Sequence, residues 1–80
     1  MRGVRAILVP KRDIIINGRK HFSADRQYIA TYELGEKDRG WYTIDDVGAK
    51  HWLSPWDGKD HMDIHEEEWI VKNFYIIEVK

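Results

Sequence analysis

The chain reads as a small, mainly β domain: five or six short strands closing into a barrel, with one short helix before the last strand. Three features predict this. Runs of β-branched and aromatic residues recur at short intervals, separated by turns that contain Gly, Asn and Asp. Cysteine is absent, so no disulfide or thiolate metal site staples the 80 residues, and four Trp, four Tyr and two Phe must supply much of the core. Strands this short bury little as an open sheet with two edges, and closure removes those edges. With no internal repeat, low-complexity tract or linker, residues 1–80 are expected to form one domain.

Each element has a local reason. Residues 4–9 are an apolar run interrupted by Arg5 and stopped by Pro10. Residues 13–17 carry three consecutive Ile before Asn17-Gly18, a strong two-residue turn signal. Residues 19–22 then return as a short hairpin arm, or the whole stretch is one long loop clipped to the barrel by its Ile side chains. Along residues 27–34, Tyr28, Ala30, Tyr32 and Leu34 share one face at period two. Residues 40–45 and 50–53 are the two strands of a hairpin around a polar turn that contains Gly48. Residues 54–60 are rich in breakers and read as an irregular connection.

The helix is expected over residues 66–74. Three Glu open it, where the macrodipole favours negative charge, and Asp63 with Glu66 has capping-box spacing. Trp69, Ile70, Asn73 and Phe74 fall on one side, so the helix is expected to dock Trp69 and Phe74 on the sheet. Residues 75–79 form the last strand. The expected core is Ile7, Tyr28, Tyr42, Ile44, Leu53, Trp69, Phe74 and Ile77.

These residues resemble the recurring layout of small phage-encoded SH3-like β-barrel proteins of unassigned function. Phe22 and Tyr28 stand at the strand entry. Gly40, Tyr42, Ile44, Asp46, Gly48, His51 and Leu53 match the hairpin, and Glu67, Glu68, Trp69 and Phe74 match the segment before the closing strand. The resemblance covers roughly residues 22–53 and 66–79. It implies an SH3-like barrel and a viral origin, hence action in the host cytoplasm. It carries no agreed catalytic residues, so no site transfers with it.

Net charge is −1 but unevenly spread: residues 1–40 hold nine Lys/Arg against five acids, and residues 41–80 hold four Lys against nine acids. No run is long and apolar enough for a membrane span, and no signal-peptide pattern opens the chain, so a cytoplasmic protein without membrane contact is expected.

No phosphate loop, nucleophile motif or His-Glu-x-x-His is present, and the expectation is a non-enzymatic protein without a cofactor. Asp45, Asp46 and His51 lie near one another across the hairpin, but two Asp before Gly48 are more simply turn chemistry. A metal candidate also exists. His61, Asp63 and His65 at i, i+2 and i+4 point to one face of a strand, with His51 as a fourth ligand, and imidazoles plus a carboxylate suit zinc. The same residues fit a polar loop with solvated or capping histidines, and no metal is the reading adopted.

The function expected first is binding of another protein, from host or phage, through an aromatic and charged surface. Arg12, Arg19, Lys20, Trp41 and Trp56 are its candidate contacts, since Trp and Arg are common interface anchors. The alternative is a nucleic-acid-binding module that uses the basic 11–26 loop for phosphates and exposed aromatics for bases. A homo-oligomer, formed by strand pairing at an exposed edge, is a further option.

Overall fold

Among the described residues, seven strands and one short helix form from these runs. The computed structural model describes residues 4–34, 39–54 and 62–80, and of Leu34 and Arg39 the backbone alone. The strands are β1 (Arg5–Pro10), β2 (Ile14–Ile16), β3 (Arg19–Phe22), β4 (Tyr28–Leu34), β5 (Arg39–Ile44), β6 (Lys50–Trp52) and β7 (Phe74–Val79). A 3-10 turn (Ile64–Glu66) and the helix α1 (Glu68–Asn73) precede β7. The mainly β class with one short helix before the last strand therefore holds. The strand count exceeds the expected five or six because residues 14–22 form both arms of a hairpin. Asn17 and Gly18 take positive φ values of 52° and 77°, the conformation that an Asn-Gly hairpin turn requires.

Five strands form one antiparallel sheet in the order β6-β5-β4-β1-β7, and β2 with β3 forms a separate ribbon. Among the described residues no ladder joins β6 to β7, so the five-stranded sheet is open. The edges are blunted in other ways: β6 has only three residues, and β7 is bulged against β1 between Ile7 and Leu8.

One face of the sheet is packed. Ala6 and Leu8 of β1, Tyr28, Ala30 and Tyr32 of β4, and Trp41 of β5 are buried there. The ribbon contributes Ile14 and Phe22, the helical segment Ile64 and Ile70, and Phe74 opens β7 into the same cluster. Phe22 sits edge-on to both Tyr28 and Phe74, with ring centroids 5.0 and 5.3 Å away. The shared face of Tyr28, Ala30 and Tyr32 is thus the core face, as the period-two pattern requires.

Five of the eight expected core residues lie elsewhere. Tyr42 and Ile44 point to the opposite face, because the pairing Tyr32↔Trp41 turns Trp41 and Thr43 inward. Ile77, beside the β7 bulge, is exposed, and Trp69 is 38% exposed on the helix flank while Ile70 takes the core position. Ile7 is half-buried on the outer face. Tyr28, Leu53 and Phe74 are buried as expected. The helix is also shorter than the expected 66–74. Asp63 caps the 3-10 turn by accepting from the His65 amide, and Asn73 closes α1 by donating its side-chain amide to the Trp69 carbonyl.

Gly40 marks where Trp41 is seated. Its φ of +127° is poorly accessible to other residues, and a Cβ there would approach Cβ of Ser54 to 2.9 Å. That close approach lets the Ser54 hydroxyl accept from the Trp41 amide at 3.0 Å.

Candidate functional site

Two regions carry side chains that the core does not explain. The first is the outer face of the five-stranded sheet. Strand alternation brings Ile7, Ile29, Tyr42, Ile44 and Trp52 to it, in register through Ile7↔Ile29 and Tyr42↔Trp52. Ile29 is 63% exposed and Ile44 54%. The Tyr42 and Trp52 rings meet edge-on at 5.5 Å, and the Lys50 ammonium lies over both, 4.2 and 4.6 Å from their centroids. Lys50 also pairs with Glu33 of β4 at 2.9 Å. Toward the β7 edge, Arg5, Ala6, Ile7, Ile29, Glu78 and Lys80 line a shallow hollow of about 140 Å³. The arrangement is an apolar and aromatic centre with a rim of both charges.

The second region is a polar corner where the β2–β3 ribbon meets the β5–β6 turn. The Asp46 amide donates to the His21 carbonyl at 2.8 Å and ties ribbon to sheet. The Asp45 side chain, 2% exposed, accepts on Oδ1 from the amides of Val47 and Ala49 at 3.1 and 3.0 Å. Its Oδ2 faces Nδ1 of His21 at 2.8 Å and Nδ1 of His51 at 3.4 Å. Burial pushes the Asp45 carboxyl up, but bonds from His21, Ala49, His51 and Val47 outweigh burial and hold its pKa below the ordinary carboxylate value.

The neighbouring Asp46 accepts from the Ser23 and Tyr28 hydroxyls, each at 2.6 Å, and from Arg26 at 3.3 Å. The Ser23 and Tyr28 bonds lower its pKa. Burial, and then the Asp46 carboxylate it bonds, raise the Tyr28 phenol. The His51 ring packs against Phe22, edge-on at 5.1 Å, and against Trp69, nearly parallel at 6.2 Å.

The residues proposed from sequence scatter across this frame. Trp41 is fully buried against Tyr32 and is a core residue, not a surface contact. Trp56 and His61 lie outside the described residues. Arg12, Arg19 and Lys20 are exposed on and beside the ribbon. Arg12 donates to the side-chain Oδ1 of Asn73 at 3.4 Å, and Lys20 pairs with Asp13 at 3.5 Å. His51, Asp63 and His65 do not converge. Asp63 and His65 belong to the cap and body of a 3-10 turn, where strand alternation does not apply. His51 instead joins His21 and Asp45. The proximity of Asp45 and His51 across the hairpin was visible in the sequence; His21 was not, because it arrives only when the ribbon folds onto the sheet.

No helix among the described residues is long and apolar enough to cross a membrane. Comparison with known proteins finds no matching family model, no matching curated protein and no matching solved structure.

Proposed function

We propose that this chain is a non-enzymatic binding module that docks a protein partner on the outer face of its sheet. The observation that carries the reading is the composition of that face: Ile7, Ile29, Ile44, Tyr42 and Trp52 in the centre, with Arg5, Glu33, Lys50 and Glu78 around them. An apolar, aromatic centre with a mixed-charge rim is the anatomy of a protein interface. Carboxylates on the rim count against a polyanion at the same place. Closure of the open sheet into an SH3-like barrel through the ribbon is part of the proposal. The link from the Asp46 amide to the His21 carbonyl supports it. The resemblance to phage-encoded proteins supports an accessory role in a host cytoplasm.

The alternative, nucleic-acid binding by the basic 11–26 segment, draws support from Arg12 and Arg19, which are both exposed. One experiment separates the two. A photo-cross-linking residue at position 29 should give a discrete protein adduct in cells. Ile44→Asp should abolish the adduct while leaving the circular dichroism spectrum unchanged. Adducts that form instead with nucleic acid, weaken steeply with salt and vanish in an Arg12→Glu, Arg19→Glu chain would replace this reading with the alternative.

A further inference from the structure

We propose that His21, Asp45 and His51 form a binding site for a divalent transition metal, zinc first. The three side chains come from β3, the end of β5 and β6, and one donor atom from each lies within 4.8 Å of the others. With zinc about 2.1 Å from nitrogen and oxygen donors, neighbouring ligand atoms in a tetrahedral shell stand roughly 3.4 Å apart. The His51–Asp45 separation is 3.4 Å and the His21–Asp45 separation 2.8 Å. To admit an ion, the His21–Asp45 contact must open by about half an ångström and the two imidazole donors, within 4.8 Å of each other, must settle about 3.4 Å apart, a movement open to His21 because it stands on a short ribbon.

Two of the three donors are already fixed. Amides of Val47 and Ala49 hold the Asp45 carboxylate through Oδ1, which leaves Oδ2 aimed at both imidazoles. Phe22 and Trp69 both pack against the His51 ring. Outer contacts of this kind are what orient first ligands in protein metal sites. Asp46 is not a ligand, because Ser23, Tyr28 and Arg26 occupy its oxygens. Two nitrogens and one carboxylate select zinc, cobalt, nickel or copper over magnesium and calcium, which take oxygen shells. Both histidine side chains are about one-fifth exposed, so the fourth position faces water. The competing account is a purely hydrogen-bonded corner in which both histidines donate to Asp45.

The full chain, stripped with a chelator, decides between them. Zinc chloride titrated calorimetrically should bind one-to-one, and cobalt(II) should show the intense visible bands of a four-coordinate site. His51→Gln and His21→Gln should each weaken zinc at least about tenfold, while His65→Gln on the exposed 3-10 turn should leave it unchanged. Should the His21 or His51 variants fold poorly, ¹⁵N-imidazole spectra of the unaltered chain give the same answer. Zinc should shift the Nδ1 resonances of His21 and His51 and not those of His65. The proposal is overturned if the unaltered chain binds no zinc, or if zinc binds and these two Nδ1 resonances stay in place.

Discussion

The outer sheet face and the Asp45–Asp46 corner are a few residues apart in the chain and solve opposite problems. On the face, β-branched and aromatic side chains remain exposed, and no described element covers them. In the corner, every polar side chain has found a partner, and among the described residues no buried side-chain nitrogen or oxygen lacks one. Apolar atoms left in water cost stability gradually, by area. Polar atoms left unpaired in a dry site cost it at once. The corner is thus bound into the fold's stability, whereas the face is largely free of it and available for recognition. Substitutions should separate the two accordingly.

The largest effect is expected at Asp45. Asp45→Ala deprives two amides and two imidazoles of one buried acceptor. Urea unfolding in the presence of a chelator should show a loss of about 3 kcal/mol or more. A loss under about 1 kcal/mol would mean that water replaces the carboxylate, and the contrast between corner and face would fail.

Gly40→Ala comes next and tests the strand that serves both regions, since β5 sends Trp41 inward and Tyr42 outward. A side chain at φ +127° that meets Ser54 Cβ at 2.9 Å must displace the Ser54–Trp41 contact. The expected cost is about 1–3 kcal/mol, with a change in Trp fluorescence as Trp41 loses its seat.

Tyr28→Phe removes one hydroxyl that accepts from the Ser23 amide and donates to Asp46. The loss should be about 1–2 kcal/mol near neutral pH. It also carries a pH signature. The folded chain raises the Tyr28 pKa above its unfolded value, so this contribution is complete below about pH 10 and disappears as pH climbs through the folded value. The unaltered chain should lose stability over that alkaline range, and Tyr28→Phe should flatten the slope. Equal slopes in the two chains would remove Tyr28 from the account.

Legibility in the sequence divides along the same line. Asn17-Gly18 announced its turn because the geometry there is local, and Tyr28, Ala30 and Tyr32 announced their buried face because Ile29 and Thr31 do not form as good a core. Residues 40–45 defeated the same reasoning. Trp41 with Thr43 and Tyr42 with Ile44 are equally good strand faces, and only pairing with Tyr32 decides between them. Closure was inferred from the cost of edges alone, and that argument is weak here, because a three-residue β6 and a bulged β7 already lower the cost. The corner was half legible. Asp45 and His51 are joined by a turn, whereas His21 depends on a long-range contact between ribbon and sheet.

The smallest effect is expected on the face itself. Ile29→Thr and Ile44→Thr keep β-branching and strand propensity and remove apolar surface that already lies largely in water. Each should change stability by no more than about 0.5 kcal/mol, and together they should add. In a chain that carries the cross-linker at position 29, the effect of Ile44→Thr should fall instead on the cross-link. A double variant that loses more than about 1.5 kcal/mol would mean that something covers the face in the folded state. Dilution then identifies the cover. A midpoint that falls with protein concentration in the unaltered chain, but not in the double variant, assigns it to a second copy. A midpoint independent of concentration assigns it to the chain's own residues.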